Sequence, residues 1–273
     1  MFGSSGKKNK NGSPTASRYV DMWAFVGMHP TNLDLLQRLK SGDSQQFGAN
    51  MDVCGSISQQ DSKTSGWDKN HIVGIRTDVW ESAEHRRLVM KMFKSTGKRI
   101  RWAGTIEEIT TREVHNSIGS RRPVLTLAVV LPGHEYIVYV QQNHRTFRIP
   151  SIFTFWFHDE AQDQIWYINL RRKWFSFGAD FVIESGGRKI GEIDGKLIGF
   201  GYNAYVRVDE PALAKNRRFL DLLTLFATSV GYHRAMRKNI KRRVRAITSD
   251  KALEHVVEDE ELWLQRNPRR RAA

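Results

Sequence analysis

The chain has one cysteine, Cys54, in 273 residues. A single thiol forms no internal disulfide and no multi-thiolate zinc site, which excludes a disulfide-stapled domain and points to a reducing compartment. The expected location is the cytoplasm, with peripheral contact at a membrane as a variant of it. Long apolar runs are also lacking. The longest, residues 219–232, contains Asp221 and extends only about 14 residues, where a membrane span needs roughly 20. Residues 1–16 are Gly, Ser, Lys and Asn with no apolar stretch after Phe2, so they read as a flexible arm and not as a signal peptide. Negative charge is scarce: 29 Asp and Glu oppose 43 Lys and Arg, leaving +14 and a pI near 10.0. What is present is otherwise ordinary. A hydrophobic fraction of 40% and a charged fraction of 26% suffice for a folded core and exclude a wholly disordered chain.

Hydrophobic period divides the chain. Thr31 or Asn32 precedes Leu33, Leu35, Leu36 and Leu39, the pattern of a short amphipathic helix. Residues 41–68, rich in Ser, Gln, Asp and Gly, read as a long loop holding Cys54. Leu88, Val89, Met90, Met92 and Phe93 suggest a second helix over 82–94, so 17–96 is expected to be a helical and loop extension. From residue 97 the period falls to two. Strands are expected around Ile100 to Ile109, 123–131, 135–140, 152–157, 164–170, 180–184, 189–193 and 204–208. Leu131-Pro132-Gly133-His134, Ser185-Gly186-Gly187 and Asp194-Gly195 supply tight-turn residues between them. Asp209 or Glu210 then caps a helix with Pro211 in its first turn. Its apolar residues Phe219, Leu220, Leu222, Leu223, Leu225, Phe226 and Val230 surround the axis, so the helix is expected to be buried on all sides. The fold class is mainly β (α+β): an antiparallel barrel-like domain over 97–248, with that helix central or packed against it. Residues 97–149 are compatible with a separate small OB-like unit, and 249–273 form a charged tail.

Two segments echo each other 23 positions apart: Phe177-Gly178-Ala179-Asp180-Phe181 and Phe200-Gly201-Tyr202-Asn203-Ala204. Each places a glycine and an Asx ahead of an alternating strand, a turn feeding a strand. The stretch 166–196, with its Phe177-Gly178, Asp180-Phe181, Gly191 and Ile193-Asp194-Gly195-Lys196 cadence, resembles the repeating unit of LURP-one-related proteins. These group with phospholipid scramblases and the tubby C-terminal domain in one tubby-like superfamily. The resemblance covers roughly 166–233 and its motifs are structural. It implies a twelve-stranded antiparallel barrel with the closing apolar helix through its middle.

Catalytic chemistry has little support. No Ser-His-Asp or Cys-His pattern has recognisable context, so neither enzyme activity nor a catalytic residue is expected, and no metal or cofactor. Gly199-Phe200-Gly201-Tyr202-Asn203-Ala204 has the letters of a dinucleotide fingerprint but feeds a strand where that motif needs a helix. His158, Asp159, Glu160 and Asp163 fall at a hairpin tip, and Glu192 and Asp194 have Lys189 and Lys196 as surface partners.

The cations carry the stronger signal. Arg234, Arg237, Lys238, Lys241, Arg242, Arg243 and Arg245 recur at helical spacing just past the apolar helix, with Arg171, Arg172 and Lys173 as a second cluster. The expected function is a tubby/LURP-like module that binds phospholipid headgroups or a membrane surface through this patch. Two alternatives stand beside it. One is a nucleic-acid-binding protein using the same cations, with Trp102, Tyr136 and Tyr139 stacking bases. The other is a structural or assembly module with no ligand.

Overall fold

Alternation along the strands closes the chain into a barrel. On β8 (Ile152–Asp159), Phe153, Phe155 and Phe157 are buried, while Trp156 between them is 63% exposed. Period two of this kind gives each strand an apolar face and an outer face. The computed structural model describes residues 16–23, 46–48, 50–60, 67–82, 86–96, 99–120, 122–143, 151–174, 178–198, 201–249 and 259–266. Twelve antiparallel strands run in chain order and the last pairs with the first, so no edge is left to template aggregation. Besides β8 they are β1 (Ala16–Trp23), β2 (Met51–Gln60), β3 (Trp67–Arg76), β4 (Val89–Thr96), β5 (Arg99–Glu108), β6 (Thr126–Val130), β7 (Val138–Gln142), β9 (Gln164–Arg172), β10 (Phe181–Ser185), β11 (Arg188–Ile198) and β12 (Gly201–Val208). The helices are α1 (Thr77–Trp80), α2 (Thr110–Ser120), α3 (Pro211–Lys215), α4 (Arg217–Val230), α5 (His233–Thr248) and α6 (Asp259–Arg266).

The α4 helix fills the barrel. Every residue from Phe219 to Val230 is buried, and one apolar cluster takes members from all twelve strands and from this helix. Each fully buried Leu or Phe contributes on the order of 1.5–3 kcal/mol. Asn216 starts the helix, its side-chain oxygen accepting the Phe219 N–H at 3.1 Å; the Glu210 side chain caps nothing. Polar residues inside the helix are satisfied locally, Thr224, Thr228 and Ser229 each donating to a backbone carbonyl one turn back. Asp221 is met by Arg18 of β1.

Where a helical and loop extension is expected over 17–96, the described residues form β1 to β4 and the short α1; the four strands supply a third of the twelve-stranded barrel. The helix expected at 82–94 gives way to β4, and Cys54 lies buried in β2, not in a loop. The cause is burial on both faces. Met90 and Met92 point into the barrel, while Phe93 joins Phe47, Met51, Ile72 and Ile100 in a second cluster outside it. Apolar residues on both faces blur the alternation and imitate a helical stripe. The segment around Leu33 lies outside the described residues. Residues 97–149 are no separate OB-like unit, since β5, β6 and β7 are consecutive staves of the same wall.

The repeat glycines have a different reason from the one their sequence suggests. Neither has a left-handed φ; among the described residues that conformation in glycine falls at 104, 133, 186 and 187, the last two forming the expected turn before β11. Gly178 and Gly201 instead sit where another backbone passes: an added Cβ would lie 1.6 Å from the Gly195 oxygen and 2.1 Å from the Met22 oxygen. Asp194-Gly195 makes no turn and lies within β11, its glycine lying under the Tyr202 ring. Gly178→Ala is therefore expected to destabilise by at least about 1–3 kcal/mol, the cost of overpacking, read as a lowered urea midpoint.

His71 on β3 is 1% exposed and neither ring nitrogen finds a partner among the described residues. Burial, reinforced by Arg18, Lys94 and Arg217, pushes its pKa down to about 3. The unfolded chain binds this proton near pH 6.5 while the folded chain does not. Stability is thus complete above about pH 6.5 and falls by about 1.4 kcal/mol per unit toward pH 3. His71→Leu is expected to flatten that part of the stability profile in urea unfolding across this range.

Candidate anion-binding surface

The α4 helix enters the barrel at the end carrying the 160–163 turn, where Arg218 pairs with Glu160, and leaves at the opposite end. There the chain turns and α5 crosses the mouth. Residues His233, Met236, Asn239, Ile240 and Arg243 are buried beneath it, recurring at three- and four-residue steps as one face of a helix. Arg234, Lys238, Lys241, Arg242 and Arg245 occupy the other face and are exposed. Among the described residues, Arg234, Lys238, Lys241 and Arg245 meet no carboxylate.

Arg243 belongs to a different structure. It is 9% exposed, and its Nη1 lies 3.1 Å from Glu108 Oε1 and 3.7 Å from Glu113 Oε2. Its Nη2 donates to the Arg86 carbonyl. It anchors α5 to β5 and α2, and offers nothing to a ligand. Glu113 is buried beside Glu108, and first its desolvation, then the Glu108 charge and hydrogen bond, hold its pKa well above the ordinary carboxylate range. Glu108 Oε2 accepts the Leu88 N–H at 2.9 Å.

The second cluster comes to the same end of the barrel but divides. Arg171 is on the outer face of β9, bound through Nε and Nη2 to the Glu184 carboxylate. Lys173 lies 3.9 Å from Glu192, which is nearer to Lys189 at 2.6 Å and Arg207 at 2.9 Å. Arg172 pairs in register with Phe181, and its place two residues beyond Leu170 turns it inward at the rim. Gln142 turns inward on β7 opposite Phe153, and Arg237 Nη2 lies 3.5 Å from its Oε1. The two arginines bracket His233. Burial first, then Arg237 and Arg172, drive the pKa of that imidazole well below its usual value, and burial with Arg172 lowers that of Arg237. The mouth therefore holds two half-buried guanidinium groups above the core. Beside them Trp174, unremarked by charge reasoning although it adjoins three cations, is 62% exposed.

The three aromatic residues expected to stack bases do not form one platform. Trp102 and Tyr139 adjoin the same outer cluster around Ile109, Val130 and Leu264, with Arg112 over the Tyr139 ring at 4.3 Å. Tyr136 packs instead against His134 and His158. At the hairpin tip, His158 meets Asp163 at 3.0 Å, while Glu160 is taken by His134 and Arg218 and Asp159 is buried. Among the described residues no three His, Cys, Asp or Glu converge as metal ligands, and no helix is long and apolar enough to cross a membrane. No family model, curated protein or solved structure matches the chain.

Proposed function

We propose that the chain is a non-catalytic module of the tubby-like kind that docks on anionic phospholipid headgroups at a membrane surface, using the end of the barrel closed by α5. The observation that carries the reading is the row of exposed cations at 234, 238, 241, 242 and 245 on a helix whose opposite face is anchored in the fold. Such cations contribute about 1 kcal/mol each near an anionic bilayer, and the row is rigid, so little ordering opposes the contact. Trp174 at the same end favours a bilayer over a free polyanion, because an exposed indole settles at the headgroup level. Twelve antiparallel strands around a buried helix are also the architecture that the tubby-like resemblance implies, which supports that family as part of the proposal.

The full chain is expected to sediment with vesicles of phosphatidylcholine containing phosphatidylserine, and not with phosphatidylcholine alone. Binding should weaken as salt shortens the screening length. Equal binding to neutral vesicles defeats the reading. Retardation of a DNA or RNA probe without vesicle binding favours a nucleic-acid partner instead.

A further inference from the structure

We propose that Arg172 and Arg237, at the barrel mouth crossed by α5, form a site for one doubly charged tetrahedral oxyanion of the phosphate monoester class. The site shares its end of the barrel with the exposed α5 row and so deepens that reading. It uses none of the row's side chains, however, and needs no bilayer.

Strand register brings the two arginines to one place. Phe153, Leu170 and Phe181 belong to the barrel core. Arg172 stands opposite Phe181 and two residues past Leu170 on β9, so it shares their inward face. Phe153 stands opposite Leu170 on one side and Gln142 on the other. Neighbouring strands lie about 4.8 Å apart, so Gln142 on β7 and Arg172 on β9 are separated by about 10 Å across β8. Arg237 Nη2 lies 3.5 Å from Gln142 Oε1, which puts its guanidinium at the Gln142 side of this gap. His233, one helical turn before Arg237, supplies the floor, its ring 5.3 Å from Phe153 and 5.7 Å from Phe226.

What the pair lacks is a counter-charge. The flanking Arg171 and Lys173 have the Glu184 and Glu192 carboxylates. Among the described residues the Arg172 guanidinium meets no acceptor, and that of Arg237 has only the Gln142 oxygen at the limit of hydrogen-bond range. The links 144–150 and 175–177, which leave from the same strand ends, contain no Asp or Glu. The acid felt by Arg237 is Glu113, but Glu113 faces Arg243 at 3.7 Å and its raised pKa keeps it from supplying a full charge. Burial, then Arg172, pulls the pKa of Arg237 down. Two like charges held partly out of water with no opposite charge are costly until an anion joins them. Both side chains keep some exposure, so an anion reaches them from solvent.

Charge and geometry select the anion. Each guanidinium presents a planar fork of N–H donors. A carboxylate or a phosphodiester brings one negative charge and leaves one arginine uncompensated. A phosphate monoester brings nearly two, with three terminal oxygens to divide between the forks. The group belongs equally to a soluble phosphate and to a lipid headgroup that ends in one. Arg234, Lys238 and Lys241, exposed on the same helix, raise the local concentration of either.

The test is calorimetric titration of the full chain, in phosphate-free buffer, with methyl phosphate and with dimethyl phosphate. Saturable one-to-one binding of methyl phosphate is expected, with the diester at least about tenfold weaker. Arg172→Gln and Arg237→Gln should each lower the methyl phosphate affinity about tenfold or more, the loss of a charge-assisted contact. Without ligand, their melting temperatures should stay unchanged or rise, because a charge without a partner has been removed. A second arm sediments the protein with phosphatidylcholine vesicles containing phosphatidic acid. Displacement from them by methyl phosphate identifies a lipid headgroup as the source of the anion, and no displacement a soluble one; either upholds the site. Absence of saturation at millimolar methyl phosphate overturns the proposal, as does equal affinity for the diester or binding that both glutamine variants leave unaltered. Sedimentation with phosphatidylserine vesicles judges the α5 row separately, so either reading can fail while the other stands.

Discussion

Replacing Arg18 with Met is expected to destabilise the fold by about 3–5 kcal/mol, the cost of leaving one partner of a buried ion pair uncompensated. Arg18 is 2% exposed and Asp221 4%. They join β1 to the central helix across 203 residues of chain, and Arg18 Nη1 also donates to the Thr224 hydroxyl at 3.3 Å. Asp221 has one further cation nearby, Arg217 at 3.7 Å, which is 57% exposed and a weak substitute. Asp221→Leu should cost a similar amount, since Arg18 would then be the stranded charge. The double variant Arg18→Met with Asp221→Leu should recover most of the loss, because two apolar side chains replace a pair whose desolvation was costly. Urea unfolding of the four proteins gives the coupling energy directly. Additive losses would mean that the pair does not hold the strand to the helix.

Arg243→Met is expected to cost a comparable 3–5 kcal/mol, and for a related reason: Glu108, fully buried, loses its cation. The loss should be local first. Hydrogen exchange of the α5 amides should quicken more than that of α4, which is enclosed by the barrel. Lys241→Met, one face away on the same helix, should change stability by no more than about 0.5 kcal/mol. The neighbouring Glu113 gives a pH signature. Its folded-state pKa lies above its unfolded value, so the fold binds this proton more tightly than the unfolded chain does. Its stabilising effect is complete below the ordinary carboxylate range and is lost as pH rises through the folded value. Glu113→Gln makes the neutral form permanent. The variant should match the native protein in acid and surpass it progressively as pH rises. Equal pH profiles for the two proteins would contradict the assignment.

The central helix was legible because the apolar residues among 219–230 surround the axis and are not confined to one stripe, and only enclosure satisfies such a segment. Strands such as β8 and β12 were legible for a different reason, the clean alternation of buried and outer residues, and β6 as a short continuous apolar run. The first four strands were not. In β4 the outer face is buried under Phe47 and its neighbours, and in β2 Ser, Gly and Gln between Val53, Ile57 and the loop ahead read as linker composition. The α2 helix escaped notice because what caps it, Glu261, comes from the far end of the chain, and no local pattern records a cap supplied in that way. At the candidate site, helical spacing found every exposed cation of α5. It also drew in Arg243, as the run at 171–173 drew in Arg171, because a sequence shows where charges lie along a helix or strand but not which carboxylates fold against them. The inward rim position of Arg172 needed strand register, which the pairing of β9 with β8 and β10 defines.

Membrane docking through the exposed row of α5 is tested by co-sedimentation of the full chain with phosphatidylcholine–phosphatidylserine vesicles. The native protein is compared with a variant carrying Arg234→Glu, Lys238→Glu and Lys241→Glu. Loss of three attractive contacts at about 1 kcal/mol each, before any repulsion, lowers binding at least about 100-fold, while thermal unfolding stays unchanged. Vesicle binding that survives these three reversals in a folded protein would contradict the account.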